Sequence, residues 1–127
     1  MMAWAVVLGG GLGALLRYVV VLHGFSRFPQ FSQWGTLVVN LLGCFFMGLI
    51  WGVLNLPICE SVPDYVKGFV ITGFLGAFTT FSAFGLDIVV LFASGKVKVS
   101  LLYFFVSNVL GVGLVLLGLT IVQGLRS

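Results

Sequence analysis

The sequence predicts an all-α membrane protein that crosses a bilayer four times, and three observations carry that prediction. Of 127 residues, 61% are hydrophobic and 7% charged, against about 25% charged in an ordinary water-soluble domain. Six basic and three acidic side chains cannot coat a body of this size in water. The apolar residues also gather into four charge-poor runs, at about 2–22, 34–56, 68–93 and 99–125. Each run reaches the ~20 residues that cross ~30 Å of hydrocarbon as a helix. Finally, the runs lack the strict alternation of barrel strands, so helices satisfy their backbone groups. Short connections holding Gly24, Pro29, Pro57, Pro63 and Gly95 separate the runs, as breakers do. Residues 1–127 read as one transmembrane domain without a linker or low-complexity tail.

The first run carries Arg17 as its lone charge. It lacks a basic leader and a small-residue cleavage site, so it reads as a retained helix, not a signal peptide. Its Gly9-Gly-Gly-Leu-Gly13 cluster has no Lys-Ser/Thr after it, which sets it apart from a phosphate loop. Close helix packing is the better reading, for this cluster as for Gly48 and Gly52. The second run is uncharged and holds Asn40 near its middle, with Thr36 one turn earlier on the same face. An amide at membrane depth is costly, so Asn40 faces either a partner helix or a watery path.

The third run centres on Gly73-Phe-Leu-Gly-Ala-Phe-Thr-Thr-Phe-Ser-Ala-Phe-Gly85. Consecutive β-branched threonines among glycines weaken a helix. Two readings follow: a break near midplane whose freed carbonyls meet protein, water or an ion, or an unbroken helix with hydroxyls bonded back one turn. Phe78, Phe81 and Phe84 recur at intervals of three, as do Thr79 and Ser82. Such rings either face lipid or present positive edges to a small anion. On the fourth run Tyr103, Ser107 and Gly111 share one face, with Asn108 beside them. Tyr103 reads either as part of that polar stripe or as an interfacial anchor.

The formal charge of +3 is spread singly, without the basic run of a nucleic-acid-binding surface. Cys44 in a span and Cys59 in a loop suggest neither a disulfide nor a metal site. His23 reads as interfacial, and no Ser-His-Asp or Cys-His constellation is present, so no enzyme is indicated. Four spans put both termini on one side. Lys67 and Arg126 then flank one face and Arg27, Lys96 and Lys98 the other. So weak a positive-inside bias admits both a single orientation and insertion both ways as an antiparallel pair.

Taken together, Gly9–Tyr18, Gly35-Thr-Leu-Val-Val-Asn40 with Gly43, and Gly73–Phe84 resemble the Fluc family of fluoride channels, also called CrcB. The motifs fall in order on three spans, and the resemblance covers nearly the whole chain. It implies an antiparallel, dual-topology homodimer with two pores, exporting fluoride passively across the bacterial cytoplasmic membrane. On this resemblance Phe81 and Phe84 line the pores with ring edges, and Asn40 is the pore-mouth amide of the second helix; Thr36, on the same face of that helix, is counted with it as a pore residue. Thr80 and Ser82 form a hydroxyl track, Tyr103 and Ser107 belong to the fourth helix, and Arg17 lies at a vestibule. A structural sodium ion would sit at the dimer centre on backbone carbonyls of Gly76 and Thr79. Two departures are Ala83, where the family commonly has threonine, and Asp87, where glutamate is usual.

Rival readings are a small dual-topology, proton-coupled multidrug transporter and a non-transporting assembly subunit. The first requires a membrane carboxylate, and Asp87 is the lone candidate within any run.

Overall fold

The computed structural model describes residues 3–25 and 32–125, leaving aside the side chains of 23–25 and 32. Expectations for Arg27, Pro29, Arg126 and the His23 side chain therefore fall outside the described residues. The helices are α1 (Ala3–Phe25), α2 (Ser32–Leu54), α3 (64–78), α4 (Phe81–Ala93) and α5 (Val97–Gly124), with a 3₁₀ turn at Pro57–Cys59. α3 and α4 together make the third span. Four spans are long and apolar enough to cross a bilayer, and no strand occurs among the described residues. This is a multi-pass membrane protein.

α3 begins at Asp64, ahead of the charge-free run. The Pro63 carbonyl accepts from Val66 N (3.0 Å) and Lys67 N (3.3 Å), and the Asp64 carboxylate favours the positive end of the helix dipole. The rod then widens to a π-helix over Gly68–Leu75, a conformation that is rare and concentrated at functional places. It widens where α1 presses closest. A Cβ on Gly9 would collide with Phe69 O, and one on Gly13 with Phe74 O, whereas Gly11 faces open space. Packing thus claims Gly9 and Gly13 from the cluster, not all of it.

α2 lies along α5 and α1 along α3, while α4 returns against α5. The α2–α5 crossing uses the same device. A Cβ on Gly48 would strike Val115 O, and one on Gly118 would lie 2.6 Å from both Leu49 N and Phe45 O. Close approach replaces hydrophobic driving force between helices, because lipid tails are as apolar as the side chains.

At the end of α4 the chain reverses through Gly95, whose φ is +76°. Lys96 N donates to Leu91 O and Gly95 N to Phe92 O, each at 3.0 Å, closing the helix by the left-handed glycine cap. The core between α2, α4 and α5 holds Leu37, Phe84, Leu91 and Tyr103, with Leu41 and Ile88 against it. Outward-facing apolar side chains such as Val7 (70% exposed) and Val112 (63%) are solvated by lipid instead of water. Trp4 stacks on Tyr65 at 5.9 Å at one end of the bundle, where aromatic rings favour the headgroup level.

Candidate functional site

The third span breaks at its centre. Thr79 and Thr80 are both extended, with ψ of 159° and 116°. Thr79 Oγ1 does bond back to Leu75 O at 3.1 Å, sharing that acceptor with Thr79 N at 3.1 Å, yet the helix stops there. The decisive contact comes from α2. Thr80 N donates to Asn40 Oδ1 (2.8 Å) and Asn40 Nδ2 donates to Thr80 O (3.1 Å). The side-chain amide so supplies the acceptor that the break takes from Thr80 N and adds a donor to the carbonyl of Thr80, the N-cap of α4. In a continuous helix Thr80 N would serve Gly76 O; here that carbonyl loses its donor.

The next helix starts from the same residue. Thr80 Oγ1 accepts from Ala83 N at 3.3 Å, capping α4, and lies 3.2 Å from Ser82 Oγ. Such a cap satisfies one of the free N–H groups at a helix start. Ala83 thus takes part through its backbone, with or without a hydroxyl of its own.

Beside the break lies an open cleft of about 280 Å³, lined by Asn40, Cys44, Thr79, Thr80, Phe81, Phe84, Ser107 and Asn108 among others. Among the described residues no charged side chain lines it. Ring centroids of Phe81 and Phe84 stand 5.7 Å apart at 47°. Phe84 is buried at 6% exposure, whereas Phe81 projects from the chain at 82%. Ser107 Oγ is enclosed and has no hydrogen-bond partner. Asn108 donates to Phe104 O at 2.7 Å.

A second cavity, about 330 Å³, is lined by Arg17, Tyr18, Thr36, Val39, Thr80 and Ala83 among others. Thr80 borders both cavities, so the residue clamped by Asn40 forms part of the wall between them. Arg17 is the charged group of the second cavity and stays away from the first.

Tyr103 is buried at 5% exposure, against Phe84 at 5.5 Å between centroids, so it is no interfacial anchor. Its hydroxyl donates to Asp87 Oδ2 at 3.2 Å. Tyr103, Asp87 and Ser82 line neither cavity, and Thr36 lines only the second. The break therefore gathers Asn40, Thr79, Thr80, Phe81, Phe84 and Ser107. Tyr103 lies one layer behind the rings, and Gly76 is exposed in the last turn of α3, whose final residue Phe78 is buried.

Sequence reasoning passed over Cys44, which lines the cleft. The missed signal was spacing: Thr36, Asn40 and Cys44 fall four apart on α2, opposite the stripe of Tyr103, Ser107 and Gly111.

The sequence profile of the CrcB-like protein, Camphor Resistance (CrcB) family matches residues 4–119. Among similar curated proteins, the fluoride-specific ion channel FluC of Magnetococcus marinus is 42% identical over 119 residues, 94% of each chain. The protein of the same name in Salinibacter ruber is 40% identical over 113 residues, covering 89% of this chain and 83% of its own. That in Rhizobium etli strain CIAT 652 is 37% identical over 123 residues, 97% of each chain. With the match running through all four spans and the central break, this chain belongs to the CrcB family.

Proposed function

We propose that this chain is a fluoride-selective channel that lets fluoride leave a bacterial cell passively, and that it is not an enzyme. The observation that carries this reading is the uncharged cleft at the centre of the third span, supported by relatives named fluoride-specific ion channels. Fluoride holds its water tightly, so a conducting path must replace hydration with other hydrogen donors. Hydroxyls of Thr80 and Ser107, the thiol of Cys44 and the positive edges of Phe81 and Phe84 are such groups. None carries a full positive charge that would trap the anion. Arg17, confined to the second cavity, raises anion concentration there without standing in the path.

In proteoliposomes the wild-type chain is expected to dissipate a fluoride gradient, to retain chloride, and to do so with the pH gradient collapsed. Phe81→Ile and Phe84→Ile are each expected to slow flux by about tenfold or more, equivalent to ~1.4 kcal/mol per factor of ten, with the assembly intact by gel filtration. Wild-type rates in both variants would remove the ring edges from the pathway. Nothing favours the proton-coupled transporter: Asp87 is bonded to Tyr103 and borders neither cavity.

The working unit in this reading is an antiparallel homodimer in the cytoplasmic membrane. Phe81, exposed as it is, would meet the second copy. Single cysteines near each terminus, labelled from each side of the membrane, are expected to react from both sides. Labelling from one side alone would leave a single orientation. A sodium ion at the dimer centre fits the chemistry of the break. Gly76 O has lost its helical donor to Asn40, and a freed backbone carbonyl is a hard oxygen ligand suited to such a cation. Gly76 and Thr79 carbonyls of both copies would hold the ion, which would neutralise their dipoles and tie the copies together. Replacing sodium by N-methyl-D-glucamine is expected to lower the melting temperature of the purified dimer; an unchanged midpoint would leave the carbonyls to water.

A further inference from the structure

We infer that Asp87 and Tyr103 form a positioning pair for Phe84: the carboxylate holds the phenol, and the phenol ring sets the tilt at which the Phe84 ring meets the cleft. This rests on the channel reading above and adds to it two residues that border neither cavity. Phe84 lines the cleft yet is only 6% exposed, so its neighbours cover most of the ring and decide which part reaches the opening. The choice matters for an anion, because an aromatic ring is positive at its edge and negative on its face. Turning the ring from edge to face would exchange attraction for repulsion.

Three rings stand beside Phe84. Phe81 projects from the chain, and Phe104 is itself exposed at 6.3 Å between centroids. Tyr103 is the nearest, at 5.5 Å and 36°. It is buried, and its hydroxyl donates to Asp87 Oδ2 at 3.2 Å. Phe84, Asp87 and Leu91 share one face of α4, so the acceptor that anchors the phenol rides on the same helix as the ring it serves. The pairing also gives a role to Asp87, a carboxylate inside a span, where such groups are costly and functional. A second bond joins the same two helices without an aromatic side chain: Ser100 Oγ donates to Ile88 O at 2.9 Å. It separates the placing of a ring from the mere tying of α4 to α5.

The test measures fluoride efflux from proteoliposomes holding the full-length chain and its variants, with assembly followed by gel filtration. Tyr103→Phe keeps the ring and removes its anchor; flux is expected to slow about fivefold, the rate equivalent of one ordinary hydrogen bond. Asp87→Ala is expected to match it, and Asp87→Asn, which keeps an acceptor for the phenol, to restore most of the rate. Ser100→Ala is expected to conduct like the wild type. In a Phe84→Ile background Tyr103→Phe is expected to add nothing, since effects that run through one shared group do not sum. A full further loss in that background would overturn the inference, because the phenol would then act on the halide by itself. Wild-type flux in Tyr103→Phe, or an equal loss in Ser100→Ala, would overturn it as well. Where Tyr103→Phe fails to assemble, the Asp87 variants decide: equal rates in Asp87→Asn and Asp87→Ala would sink the pair. Each of these results leaves the channel reading standing, whereas wild-type vesicles that hold their fluoride gradient would overturn both.

Discussion

Asn40→Asp is expected to reduce fluoride flux by roughly a hundredfold and to lower the stability of the fold at the same time. The amide sits where it must both accept from Thr80 N and donate to Thr80 O. A carboxylate keeps the first bond and loses the second, bringing one acceptor against another. An unmet buried polar group costs about 1–3 kcal/mol, more when charged, and a hundredfold in rate corresponds to about 2.7 kcal/mol. The negative charge would also face the cleft and repel the halide. Thr80→Val is the comparison, because it keeps the backbone clamp and removes the cap on α4, the contact with Ser82 Oγ and one hydroxyl of the cleft. Its expected loss of stability is smaller, about 0.5–2 kcal/mol. Flux in liposomes and thermal unfolding in detergent measure both quantities. Near-wild-type flux in Asn40→Asp would show that the break holds its shape without the reciprocal amide pair.

Gly13→Ala is expected to be, with Gly9→Ala, among the most damaging single methyls in α1. The added carbon would collide with Phe74 O, a backbone atom that cannot swing aside. Either α1 moves off α3 or the π-helical segment rewinds, and both disturb the approach to the break at Thr79. Overpacking of this kind costs typically 1–3 kcal/mol, occasionally more. Gly11→Ala, two residues away in the same cluster, meets open space and gains slightly from alanine's helix propensity. The thermal midpoints of the two variants should therefore diverge. Equal midpoints would mean that α1 and α3 tolerate a wider spacing than their contact suggests.

The same cluster illustrates how far sequence reasoning reached. Four glycines within five residues point to close packing, but which of them touch depends on the rotation of α1 about its axis, set by contact with α3. Tyr103 makes a similar case. Its four-residue spacing from Ser107 placed both on one face, yet the phenol turned behind Phe84 to reach Asp87 instead of lining the cleft. A helix face spans enough arc that sharing it does not fix what a long side chain touches. Cys44 is the opposite lesson. Its spacing from Asn40 was plain in the sequence, but an apolar setting made a small, weakly polar residue easy to discount.

Thr79 and Thr80 mark the boundary between the two kinds of knowledge. Composition and run length alone determined that this chain lives in a bilayer as four helical spans, because backbone groups in hydrocarbon have few other ways to be satisfied. Local residue types identified the third span's centre as its weak point. Whether that weakness became a break was a tertiary matter, since threonine hydroxyls can bond back along a helix, as Thr79 does here. An amide forty residues earlier, carried on α2 to the level of Thr80, supplied the acceptor that the opened N–H needs and a donor to the same residue's carbonyl. No local pattern encodes that distance; only the packing of one helix on another brings the two together.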